Sequence, residues 1–121
     1  MIGSLELIIV DCPEPQALAR FYSELIGYEI VGYDPDWAEL APSGGGRPLL
    51  AFQQVEGYHA PEWPSQSAPQ QFHLDVKIDD FDVAEAAVLK LGATRTGSET
   101  PTFRVYLDPA GHPFCLIKPN D

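Results

Sequence analysis

Basic residues are scarce in this chain. Seven Lys and Arg stand against 18 Asp and Glu in 121 residues, a formal net charge of −11. Nucleic-acid affinity rests on cations that neutralise phosphates, so this balance argues against such a partner. No stretch of about 18 apolar residues occurs, which leaves no candidate for a membrane-spanning helix. Met1-Ile2-Gly3-Ser4 leads straight into an apolar strand pattern, without a basic start or an apolar signal core. The expected location is therefore the cytoplasm. Cysteine is limited to Cys12 and Cys115. In that compartment they are expected as reduced thiols, not as a disulfide.

What the chain does contain is a duplication. Leu5-Glu6-Leu7-Ile8-Ile9-Val10 is followed by an Asp/Pro/Glu cluster and an amphipathic stretch ending at Leu25-Ile26-Gly27. About 65 residues later, His73-Leu74-Asp75-Val76-Lys77-Ile78 is followed by Asp79-Asp80 and a second amphipathic stretch ending at Lys90-Leu91-Gly92. The copies close with similar tails, Gly46-Arg47-Pro48-Leu49-Leu50-Ala51-Phe52 and Gly111-His112-Pro113-Phe114-Cys115-Leu116-Ile117. Units this short cannot bury an apolar face alone, so the two are expected to complete one fold. We read one domain over 1–121, with a first module at about 4–55, a linker at 56–71 and a second module at about 72–119.

Period and punctuation predict βαβββ for each module. In the first, a strand at 5–10 precedes a helix at 15–26, whose apolar stripe is Ala17, Leu18, Phe21, Tyr22, Leu25 and Ile26. Gly27 ends it. Strands follow at 28–33, 37–41 and 49–55, with Trp37 in the core or the cleft, and parity with Phe103 in the repeat favouring the core. In the second, a strand at 72–78 precedes a helix from about 82 to 91. Asp82 and Glu85 are expected as its capping box, and Val83, Ala84, Ala87, Val88 and Leu91 as its apolar face. Strands follow at 93–97, 103–107 and 113–118. The expected class is α+β, with paired modules forming a curved, pseudo-symmetric mixed sheet around a cleft. The linker holds Tyr58, His59 and Trp63 among its prolines. Such aromatics either cover the core edge or line the cleft.

The tandem βαβββ pattern, with Phe21-Tyr22 on the first helix, Leu25-Ile26-Gly27 after it and Asp108-Pro109-Ala110-Gly111 before the last strand, resembles the vicinal oxygen chelate superfamily. That group includes glyoxalase I, extradiol dioxygenases, fosfomycin-resistance enzymes and bleomycin-resistance proteins. Val55-Glu56-Gly57-Tyr58, Trp63-Pro64, His73-Leu74-Asp75 and Gly111-His112-Pro113-Phe114-Cys115-Leu116 are similar to its small glyoxalase-like branch. One scaffold there hosts several chemistries, so the resemblance speaks for fold more than reaction.

Metal-dependent members of that superfamily carry one ligand on the first and one on the last strand of each module. The resemblance places these positions at Leu7, Leu50, His73 and Cys115. Leucines donate no electron pair, and two donors fall short of the three a catalytic zinc usually takes. An alternative register brings in Gln53 or Glu6, although strand parity argues against Glu6. No metal and no cofactor is expected. The resemblance also implies a homodimer.

Strand alternation then selects the cleft residues. His73 and Asp75 share a face with Lys77, as an acid/base or anchoring pair or simply as mutual partners. Arg104 and Tyr106 are expected beside them, because Phe103, Val105 and Leu107 should face the helix. An arginine there would hold a ligand carboxylate, and the plainer alternative is a surface ion pair. Trp63 or Tyr58 would close the rim, and Cys115, Leu7 and Leu50 would line the interior, with Cys115 as a small hydrophobe. Three functions fit: a metal-independent small-molecule binder acting as a sequestering resistance factor, a metal-free lyase or isomerase using His73 and Asp75, and a remnant domain without a ligand.

Overall fold

The computed structural model describes residues 1–118, so the expected module end at 119 lies outside the described residues. The chain divides into two compact units, which part after His59, inside the expected linker. Each unit carries its own four-stranded mixed sheet. The expected single curved sheet is therefore two hydrogen-bonded ladders, one per module.

In the first unit, β1 (Leu7–Cys12) is followed by α1 (Pro15–Ile26), β2 (Glu29–Asp34), β3 (Trp37–Ala41) and β4 (Leu49–Gln54). The strand order is β1-β4-β3-β2, with β1 parallel to β4 and the other pairs antiparallel. Pro15 opens α1, where its missing N–H costs nothing, and Gly27 closes it in the left-handed conformation at φ 75°. The helix buries Leu18, Ala19, Phe21 and Tyr22. Tyr22 stacks on Phe52 with ring centroids 5.4 Å apart, which identifies the helix-facing side of the sheet.

Cross-strand partners point to the same side, so register assigns every other residue. Leu50 pairs with Ile8, and Phe52 with Val10. Leu50 therefore lies with Phe52 on the helix side and does not share the face of Leu7, which pairs with Leu49. Four consecutive apolar residues carry no alternation, and the sequence alone leaves their parity open. Trp37 pairs with Gln53, on the side away from α1. It is half-buried there, with its indole N–H donating to Glu39 at 2.9 Å, and is not a core residue.

The second unit repeats the plan. β5 (Leu74–Lys77) is followed by α2 (Phe81–Lys90), β6 (Thr94–Glu99), β7 (Phe103–Leu107) and β8 (Pro113–Ile117), in the order β5-β8-β7-β6. The cap of α2 is Asp80, whose carboxylate accepts the Val83 N–H at 3.0 Å, so the expected capping box at Asp82 and Glu85 does not form. The buried stripe of α2 also differs from the expected one. Phe81, Ala84, Glu85 and Val88, at i, i+3, i+4 and i+7, are the residues withdrawn from solvent. Val83 is 69 % exposed.

Candidate functional site

The inward residue Glu85 of α2 decides which way the side chains of β7 face. The Tyr106 hydroxyl donates to its carboxylate at 2.8 Å, and Arg104 lies 3.6 Å from the same oxygen. Arg104 also reaches Glu99 at 3.0 Å and Asp82 at 3.4 Å, with its guanidinium 4.8 Å from the centre of the Phe81 ring. Tyr106 stacks on Phe114 and is 1 % exposed. Burial first, and then the bond to Glu85, push its phenol up to about 12. Arg104 and Tyr106 are thus bound to the helix side, not placed beside His73 as expected.

The reversed assignment sends Phe103 and Val105 to the other face. Val105 pairs with Cys115 and Cys115 with Asp75, so three strands contribute one row of side chains. Phe103 pairs with Ile117 in the next row. These residues, with His73, Pro113, Trp63 and Gln70, line a pocket of about 240 Å³. His73 Nε2 lies 3.2 Å from Asp75 Oδ1, both side chains being partly open to solvent. Cys115 is 8 % exposed. Burial, followed by the charge and hydrogen bonding of Asp75, pushes its thiol up to about 11. At neutral pH it is a protonated thiol and a poor nucleophile.

Trp63 and Gln70 come from the segment before β5. That segment is tied to itself by Glu62 N–H donating to the Ala68 carbonyl. It also approaches the β7–β8 turn so closely that a Cβ at Gly111 would meet the Ala60 Cβ at 2.8 Å. Gly111 has φ 90°, so the turn requires glycine on both counts. Within the turn, Asp108 Oδ1 accepts the Ala110 and His112 N–H groups at 2.8 and 3.0 Å. Gln70 Oε1 is buried and has no hydrogen-bond partner among the described residues.

Tyr58 does not line this pocket. It borders an open groove of the first unit with Pro13, Gln54 and Val55. Gln70, Phe103, Val105, Pro113 and Ile117 are pocket residues that sequence reasoning missed. The available signal was the stripe Phe81-Ala84-Glu85-Val88, because an acid on the inward helix face calls for Arg104 and Tyr106 opposite it.

The four-donor metal arrangement implied by the resemblance does not fit. Asp75 pairs with Cys115 in the second module, and Ile9 pairs with Ala51 in the first. Counting from the starts of the two helices, Leu7 matches His73 and Ile9 matches Asp75, so Ala51, and not Leu50, is the counterpart of Cys115. Neither Leu7 nor Ala51 donates. Gln53 shares the face of Leu7 but pairs with Asp11, one row on, and Glu6 holds Arg47 at 2.8 Å. In the second module, however, Asp75 joins His73 and Cys115, and ligand atoms of all three lie within 4.8 Å of one another. The sequence-based count of two donors omitted Asp75.

A family model described as a glyoxalase-like domain matches residues 7–117. No curated protein matches the chain. Among solved structures, a glyoxalase/bleomycin resistance protein/dioxygenase family enzyme from Burkholderia phytofirmans PsJN is 21 % identical, with 96 % of this chain and 98 % of that one covered and a TM-score of 0.70. Fosfomycin resistance protein FosX from Mesorhizobium loti is 18 % identical, with 99 % and 94 % covered and a TM-score of 0.70. TnmS3, an antibiotic binding protein from Streptomyces sp. CB03234, is 24 % identical, with 98 % of each chain covered and a TM-score of 0.58. These likenesses establish the fold, and with the match over nearly the whole length the chain belongs to the glyoxalase-like domain family.

Proposed function

We propose that this protein binds a small organic molecule in the pocket of its second module and acts as a sequestering resistance factor, with no metal needed for that binding. The observation that carries the reading is the lining. Trp63, Phe103, Val105 and Ile117 supply an apolar wall, while His73 and Asp75 supply polar groups. Such a mixture orients a ligand as well as burying it. At about 240 Å³ the pocket lies below the usual drug-sized range, so it suits one ring or a short chain, including one ring of a larger antibiotic. Antibiotic binding by TnmS3 and the fosfomycin resistance of FosX support the reading by likeness of fold. The protein is proposed to work as a cytoplasmic homodimer.

The His73–Asp75 pair favours a second reading, a metal-free lyase or isomerase in which the pair moves a proton. An open pocket counts against a remnant domain, whose site would be filled. The test is a thermal-shift screen of aromatic antibiotics and metabolites, because a ligand selective for the folded state raises the melting temperature. A hit is expected whose affinity falls about tenfold or more in Trp63→Ala, in line with losing a buried aromatic contact. For a binder, His73→Ala changes affinity and no turnover exists to lose, whereas for a lyase or isomerase turnover disappears. A screen without hits would sink both readings.

A further inference from the structure

The four-donor arrangement fails in the first module, but the second module keeps donors at His73 and Cys115 and adds Asp75 beside them. We infer that His73, Asp75 and Cys115 form a three-donor site for a thiophilic divalent ion, zinc in the first instance, contained entirely within the second module. The inference does not depend on the organic ligand.

Backbone geometry carries much of it. Asp75 and Cys115 are register partners on neighbouring parallel strands, so their side chains leave the sheet side by side on one face. His73 stands two residues before Asp75, and its Nε2 is already 3.2 Å from the carboxylate. All three ligand atoms lie within 4.8 Å of one another. Tetrahedral zinc with bonds of about 2.0 to 2.3 Å needs donors roughly 3.3 to 3.8 Å apart. Drawing the set together requires shifts of about 1 Å, and the exposed His73 and Asp75 side chains are free to make them.

The donor chemistry selects the ion. One imidazole nitrogen, one sulfur and one carboxylate oxygen suit zinc or cobalt(II). Magnesium and calcium prefer oxygen throughout and are excluded. Coordination displaces the thiol proton of Cys115. The fourth position of the ion is left to the pocket.

Cobalt(II) titration of the chelator-treated protein tests this directly, because thiolate-bound cobalt(II) gives a charge-transfer band in the near ultraviolet. One cobalt per chain is expected, with that band present, displaced by zinc and unaffected by magnesium. Cys115→Ser is expected to abolish the band, and Cys12→Ala, which alters the other buried thiol, to keep it. His73→Ala and Asp75→Asn should each weaken binding about tenfold or more, and thermal melts of all variants report whether they fold. A folded wild-type protein without the band at stoichiometric cobalt, or a band that survives in Cys115→Ser, overturns the site. A failed ligand screen leaves the cobalt result unchanged, so the two ideas fail separately.

Discussion

Replacing Phe52 by alanine is expected to destabilise the protein by about 3–5 kcal/mol, the usual cost of emptying a buried aromatic site. Phe52 is fully buried in β4, which lies between β1 and β3. Its ring stacks on Tyr22 from α1 with an interplanar angle of 16°. The fused backbone of three strands cannot collapse into the space the ring leaves, so a cavity adds to the lost transfer energy. Domains of this size hold only about 5–15 kcal/mol of stability, so the loss would consume a large share of the total. Gln53, next on the same strand, is exposed on the opposite face. Gln53→Ala is expected to stay within about 0.5 kcal/mol. Urea denaturation of the two variants decides the matter. A loss below about 1 kcal/mol for Phe52→Ala would mean that α1 is not held to its sheet in this way.

Glu85→Ala should cost about 1–3 kcal/mol, because it strands the buried Tyr106 hydroxyl and removes one carboxylate from Arg104. The alkaline limb of stability reports on the same phenol. The phenol of Tyr106 is pushed up to about 12 from an ordinary value near 10, by burial and then by Glu85. A proton held more tightly in the folded state stabilises it fully below the unfolded pKa. That stability is lost as the pH rises from about 10 through 12. The protein should therefore lose up to about 2 kcal/mol over this window that Tyr106→Phe does not lose. Other groups titrate there too, and the difference between the two proteins isolates Tyr106. Equal losses in both would show that burial and Glu85 do not hold the Tyr106 proton in this way. A Glu85→Ala variant as stable as the parent would remove the reason given for the orientation of Arg104.

The second result bears on how much of the site the sequence disclosed. His73 and Asp75 were legible as a pair because a strand has period two and no bulge intervenes. Arg104 and Tyr106 were misplaced because both faces of β7 are partly apolar. Phe103, Val105 and Leu107 read as a core-facing trio, and Tyr106 with the stem of Arg104 reads almost as well. The choice was made elsewhere, by an acid on the inward stripe of α2. Leu50 failed for a related reason, since Leu49 to Phe52 have no polar residue to mark parity.

The sequence by itself determined the duplication, the order and approximate limits of all ten helices and strands, and with them the family. These follow from local periodicity, from glycine and proline at the turns, and from an internal repeat, all of which are properties of neighbouring residues. Only the tertiary structure decided which face of β7 meets α2, that Trp63 and Gln70 but not Tyr58 reach the pocket, and that Asp75 stands beside Cys115. Each of those depends on pairings between residues distant in the chain. Strand register and helix rotation set them, and a shift of one position in either exchanges the buried face for the open one.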